Sequence, residues 1–271
     1  MPRPLPALLL AAALAGVASA DPAPGLPPAA QMRPLGLIGG TSWYSSAEYY
    51  RDLNKAVNDL YGNNTNPPLL LLNLNQQRVH ELQAQGRWDA IADLLADAAA
   101  RLEAAGAEGL LFCANTPHKV YAQVAARTRR PILHIADPVA DAVHARGLRR
   151  VGLIGTLYTM EDGFFADRLR SRRGLETLVP DSADARKELH RIVQQELAVG
   201  VFKPESRQFI LAQIAALQRR GAEGIVLGCT EFPLVIKPAD VPLPVFDTVQ
   251  LHTRMALDFI LGRAAPTAAG P

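Results

Sequence analysis

Gly106-Ala-Glu-Gly-Leu-Leu-Phe-Cys-Ala-Asn-Thr116 returns further along the chain as Gly221-Ala-Glu-Gly-Ile-Val-Leu-Gly-Cys-Thr-Glu231, at an offset of 115 residues. Two further pairs keep the same order at nearly the same spacing. Gly36-Leu-Ile-Gly39 recurs as Gly152-Leu-Ile-Gly155 at an offset of 116, and Pro131-Ile-Leu-His134 is echoed by Pro244-Val-Phe-Asp247 at an offset of 113. Three ordered matches of this kind mark an internal duplication. Each copy is a short apolar run ending in a polar turn, and such runs alternate with helical patterns. One helix is expected from about Ser45 to Leu60, opened by Ser45 and Glu48 in capping-box spacing. Another runs from Trp88 to Ala105, with Ile91, Leu94, Leu95, Ala98 and Leu102 on its apolar stripe and Gly106 as its left-handed cap. Strands joined by crossover helices predict an α/β fold with two pseudo-symmetric lobes, each a parallel sheet flanked by helices. Ligands of open α/β sheets bind at the carboxyl ends of strands, where the repeated motifs lie, so the site is expected in the cleft between the lobes.

The boundaries follow from the repeat. A first lobe covers 35–150 and a second 151–263, whose last helix is free to pack back on the first lobe, and 264–271 is a tail. Before Leu35, Met1, Pro2 and Arg3 precede an apolar stretch from Leu5 to Val17 and then Ala18-Ser-Ala20, the layout of a secretory signal peptide over 1–20. Residues 21–34, rich in Pro and Ala, read as a linker. The expected location is therefore outside the cytoplasm, periplasmic or secreted, with no membrane span after cleavage.

Composition narrows the function class. The chain has 271 residues, 49% hydrophobic and 20% charged, with a net charge of +2, which is ordinary globular composition. No run of five like charges offers a footprint for nucleic acid, so a small-molecule partner is expected. The two cysteines, Cys113 and Cys229, are too few for a disulfide framework, and the duplication sets them on different strands facing across a cleft. The histidines lack paired ligand spacing, so no metal is expected. Gly36 to Gly40 has neither G-x-G-x-x-G spacing nor a G-K-[ST] ending, which gives a nucleotide cofactor little support.

Two lobes with a cysteine at a strand end suit proton removal on one face of a substrate and delivery on the other, provided the thiol can ionise. In Gly228-Cys229-Thr230-Glu231, Gly228 permits close backbone approach and Thr230 supplies a hydroxyl. With Gly39-Gly40-Thr41-Ser42-Trp43, Asn115-Thr116-Pro117-His118-Lys119-Val120 and Gly155-Thr156-Leu157-Tyr158-Thr159-Met160-Glu161, this segment resembles the cofactor-independent aspartate/glutamate racemase superfamily, from Leu35 to about Leu261. The resemblance implies a small amino acid or carboxylate substrate, aspartate or glutamate first, no cofactor and no pyridoxal phosphate, and a homodimer. It implies Cys229 as an acid/base. It also implies that Asn115 and Thr116 hold the substrate carboxylate, with Thr156, Thr159 and Ser42 contributing to the same group.

The family pattern places a second thiol directly before Asn115-Thr116, and this chain has Ala114 there. Cys113 is one position early, and alternation along a strand aims its sulfur away from the cleft unless a bulge intervenes. It stands as a second catalytic candidate beside the reading of a small core residue. Arg78 is a candidate partner for a substrate carboxylate, or else a solvated surface residue. Glu231 is placed to orient a substrate amine or tune Cys229, or is a surface carboxylate at a helix start. His118 and Lys119 are expected to face solvent or cap local structure, with a proton relay through His118 as the alternative. Loss of one thiol predicts activity skewed toward one enantiomer. Two other functions remain open from the residues: a one-thiol decarboxylase or isomerase, as in the arylmalonate decarboxylase branch that the pattern also resembles, and a binding protein for small acids without turnover.

Overall fold

A computed structural model describes residues 25–263. The leader expected over 1–20 and the tail 264–271 lie outside the described residues. Of the linker expected over 21–34, residues 29–31 form a 3₁₀ turn and Met32 is buried among core side chains. Arg33 pairs with Glu108 at 3.0 Å and lies 3.9 Å over the Phe259 ring, so the end of this segment packs on the core instead of linking freely.

The first sheet is built from β1 (Leu35–Gly39), β2 (Leu69–Asn73), β3 (Gly109–Phe112) and β4 (Ile132–Leu133), in the order β2-β1-β3-β4 and all parallel. The second repeats that order as β6-β5-β7-β8, from β5 (Arg150–Gly155), β6 (Glu176–Leu178), β7 (Gly224–Gly228) and β8 (Val245–Asp247), again all parallel. The central strands are apolar and buried on both faces, as parallel strands covered by helices should be. The duplication thus shows as two sheets of one topology, each with helices on both faces.

Helices α1 (Trp43–Tyr61), α2 (Gln76–Ala84), α3 (Trp88–Ala104), α4 (Tyr121–Ala125) and α5 (Ala136–Ala145) follow the first strands. Helices α6 (Leu157–Glu161), α7 (Phe164–Arg173), α8 (Ala183–Gln195), α9 (Pro204–Arg219), α10 (Phe232–Val235) and α11 (Thr248–Ile260) belong to the second half. The first helix begins earlier than its sequence pattern suggests. Ser42 is its N-cap and accepts from Ser45 N, so Ser45 lies inside the helix instead of opening a capping box with Glu48.

The two halves exchange their last helices. Val139, Ala140 and Val143 of α5 pack with Val151, Leu153 and Val226 of the second sheet. Val249, Ala256 and Phe259 of α11 pack with Leu35 and Leu37 of the first sheet and with Tyr49 of α1. The tip of the Phe259 ring abuts Gly109, leaving no room for a Cβ there. No helix among the described residues is long and apolar enough to cross a membrane.

Candidate active site

The carboxyl ends of β1, β3, β5 and β7 converge on one cavity of about 60 Å³ between the sheets. The first lobe contributes Thr41 and Ser42 from the turn after β1, and Ala114, Asn115 and Thr116 from the turn after β3. Gly40 makes the first turn with φ +85°, and its α-carbon lies so close to the Leu74 backbone that a side chain has no room. Ser46 then fixes the loop, accepting from Gly40 N at 2.9 Å and donating to Ser42 O at 2.8 Å. Ser45 donates to Cys113 O, tying the turn after β3 to the start of α1. The N-terminus of this 19-residue helix, capped by Ser42, therefore faces the cavity with its partial positive charge.

Asn115 is held from the second half of the chain. Its Nδ2 donates to Thr248 Oγ1 at 3.0 Å, and Thr248 Oγ1 donates to Leu227 O at 2.9 Å. That relay fixes the amide orientation and leaves Asn115 Oδ1 buried with no partner among the described residues. Thr41 Oγ1 is buried and unpaired in the same cavity. Buried polar atoms of this kind are costly to leave unmet, so both are free to hydrogen-bond a ligand in the cavity.

Thr156, Gly228, Cys229, Thr230 and Glu231 line the opposite wall. Thr156 caps α6, bonds to Thr159 Oγ1 at 3.1 Å and meets Thr116 Oγ1 across the cleft at 3.3 Å. Thr159 itself lies behind Thr156 and supports it without lining the cavity. Cys229 Sγ donates to Glu231 Oε2 at 2.9 Å, and Thr230 Oγ1 donates to the same oxygen at 2.7 Å. Ser42 Oγ reaches Glu231 Oε1 at 3.3 Å from the first lobe. Glu231 is only 5% exposed, so it is a buried component of the site and no surface carboxylate. Burial, and after it the Glu231 carboxylate, pushes the Cys229 thiol well above its ordinary pKa, against the weaker pull of the Thr230 and Glu231 backbone N–H groups.

Strand alternation settles the two thiol positions. Leu110 and Phe112 of β3 face one core cluster, while Leu111 and Cys113 face the other, beside Leu37 and Tyr49. Ile225 and Leu227 of β7 share their face with Cys229. The residue matching Cys229 in the repeat is Ala114, which lines the cavity, whereas Cys113 is fully buried behind it. Desolvation raises the Cys113 thiol pKa far above the ordinary value, as expected of an inert core thiol.

Arg78 is not brought to the cavity. Its side chain is 55% exposed and pairs with Glu81 at 3.7 Å. The lining residues of α2 are Gln76, His80 and Gln83, spaced i, i+4 and i+7 on one helical face, and a residue at i+2 points elsewhere. Val193, Gln194 and Ala198 face them from the end of α8 and the turn beyond it. The sequence reading passed over these residues; the 76-80-83 stripe of long polar side chains was the available signal.

His118 does not face solvent but holds local structure, the second of its expected placements. It is 2% exposed, donates through Nδ1 to Ala114 O and Asn115 O, both at 3.1 Å, and accepts Ile135 N at Nε2 at 3.1 Å. Burial holds its pKa down to about 4, so it is a neutral clamp on the Ala114-Asn115 turn. Lys119 pairs with Asp162 at 2.7 Å and stacks over Trp88 at 3.9 Å.

Two parallel α/β lobes that converge a thiol, an amide and a set of hydroxyls on one cleft define the architecture of a racemase-type enzyme. The chain belongs to the Asp/Glu/Hydantoin racemase family, whose model matches residues 38–256. A candidate Asp/Glu racemase from Yersinia pestis is 40% identical, over 85% of this chain and 100% of that one, with a TM-score of 0.80. An aspartate racemase homologue from Pyrococcus horikoshii OT3 is 35% identical, over 84% and 99% of the two chains, with a TM-score of 0.73. Picrophilus torridus aspartate racemase shares the fold at 21% identity and a TM-score of 0.67, over 85% and 94% of the two chains.

Proposed function

We propose that this protein racemises or epimerises a small amino acid by proton transfer at Cα, without a cofactor, and that Cys229 is the acid/base. The observation that carries this reading is the Cys229 thiol in the inter-lobe cavity, 2.9 Å from Glu231. Glu231 is the proton's immediate acceptor when the thiol ionises. The substrate carboxylate lies against the Thr41-Ser42 end of α1 and the Thr116 and Thr156 hydroxyls, where negative charge spreading from Cα is stabilised. The unpaired Asn115 Oδ1 accepts from the substrate ammonium. The names of the relatives make aspartate and glutamate the first substrates to try. With the leader 1–20 removed, the enzyme works outside the cytoplasm, and we read it as a homodimer.

Removal and return of the proton by Cys229 alone exchanges it without inversion. Inversion requires delivery on the Ala114 side, where a methyl group stands in place of an acid, so exchange outruns racemisation and the two enantiomers are unequal substrates. A one-thiol decarboxylase is the second reading, favoured by Ala114. The polar walls weigh against it, since that reaction calls for an apolar slot beside one carboxylate.

Deuterium incorporation at Cα of L- and D-amino acids in heavy water tests the proposal. Incorporation is expected in the wild type and in Cys113→Ala and is lost in Cys229→Ala. Equal incorporation in Cys229→Ala and wild type rules the mechanism out.

A further inference from the structure

The cavity that carries the proposed reaction holds polar groups at both ends, and their charges restrict what side chain can enter. Among the described residues that line it there is neither lysine nor arginine, and its one carboxylate, Glu231, is 5% exposed. Arg78 of α2, Arg191 of α8 and Lys203, just before α9, do not line it and are paired, Arg78 with Glu81 at 3.7 Å and Arg191 and Lys203 with the buried Glu196 at 2.8 and 3.2 Å. An aspartate or glutamate would bring a second carboxylate into a small space beside Glu231. An unpaired charge taken out of water beside a like charge is strongly disfavoured.

The α-carboxylate already has a seat at the helix terminus and the threonine hydroxyls, and Asn115 Oδ1 already accepts from an amine. What remains is the wall made by α2 and α8. There Gln76, Gln83 and Gln194 present three carboxamides, with His80 between the first two on the same helical face. Gln76 Oε1 accepts from Trp43 N at 3.1 Å, which leaves its Nε2 protons to donate. Carboxamides offer both donors and acceptors but no net charge, and a site built of such groups selects a partner that returns both kinds of hydrogen bond.

We propose that the substrate is an amino acid with a neutral, hydrogen-bonding side chain, a carboxamide or a hydroxyl, selected by Gln76, His80, Gln83 and Gln194, and that dicarboxylic amino acids are poor substrates. This inference rests on the racemase reading and specifies its substrate.

The experiment measures kcat/KM for Cα deuterium incorporation by the full chain, at pH 6 and pH 8. The substrates are both enantiomers of glutamine, asparagine, homoserine, serine, aspartate and glutamate. The expected result is a best neutral substrate at least tenfold above aspartate and glutamate at both pH values. The expected result in Gln83→Lys and Gln194→Arg is a narrowed or reversed ratio, because either variant supplies the missing cation. Aspartate or glutamate turned over within tenfold of the best neutral substrate, at either pH, overturns the inference and leaves the racemase reading intact. No incorporation into any of these amino acids, by protein whose Cys229 still alkylates, overturns the racemase reading and the inference together.

Discussion

The thiol of Cys229 donates to the carboxylate of Glu231 across 2.9 Å, two residues away in sequence and both buried at the end of β7. Burial and the facing carboxylate both favour the protonated thiol, so Cys229 rests as a thiol and becomes a base only when a proton can leave toward Glu231 or a bound cation draws near.

Alkylation reports this coupling directly. Since the thiol pKa is raised, iodoacetamide should modify Cys229 slowly at neutral pH and faster as pH climbs. Glu231→Gln removes the opposing charge and should move the profile to lower pH, while Cα exchange falls about 10²-fold or more because the proton acceptor is gone. Mass spectrometry of the labelled peptide against pH checks the shift. Cys113, fully buried with its own pKa raised, should stay unlabelled until the protein unfolds.

Ala114 occupies the place in the first half that Cys229 holds in the second, and it lines the cavity. Ala114→Cys should therefore put an acid on the opposite face and raise inversion relative to exchange by about tenfold or more. Polarimetry run beside deuterium incorporation gives the ratio. Moving the thiol in the double variant Cys113→Ala, Ala114→Cys should give the same ratio, because Cys113 contributes packing only.

Thr248 anchors Asn115 from α11 without lining the cavity. Thr248→Val keeps the shape and strands both Asn115 Nδ2 and Leu227 O. Stability should drop by about 1–3 kcal/mol, as for a buried hydrogen bond left unmade. KM should rise more than kcat falls, since the freed amide can turn its Nδ2 toward the substrate ammonium. Urea denaturation and steady-state kinetics separate the two effects.

Three buried histidines, His118, His134 and His252, meet beneath the site. His252 Nδ1 accepts from Tyr49 OH at 2.8 Å and its Nε2 donates to Leu133 O at 3.0 Å, so both nitrogens are spent on the neutral form. Burial holds His118 down to about 4 and His252 to about 3, below the unfolded value of 6.5. The unfolded chain therefore binds more protons as pH falls below 6.5. Stability is full above that value and is lost toward pH 4, at a slope of up to about 1.4 kcal/mol per pH unit for each histidine. Urea midpoints at pH 7.5, 6, 5 and 4.5 should trace the loss, and His252→Gln should flatten it by one proton's worth.

Much of this protein was written in the chain itself. The duplication at offsets of 115 and 116 announced two α/β lobes because repeated apolar runs on repeated turns must bury equivalent strands. Its alignment also placed Ala114 opposite Cys229, and period-two alternation aimed Cys113 into the core, because side-chain direction along a strand is a local property. Contacts between distant segments were not legible. The return of α11 to the first lobe was foreseen from the duplication, but the packing of α5 on the second sheet, Thr248 holding Asn115, and Ile135 N meeting His118 each join segments that nothing local relates. Arg78 failed as a candidate because its helix turned a different stripe, Gln76, His80 and Gln83, toward the cavity. The sequence by itself determined the lobes, the strand ends and the thiol; only the tertiary structure decided which polar groups close over that thiol, because this depends on how α2 and α8 are rotated when their apolar faces are buried.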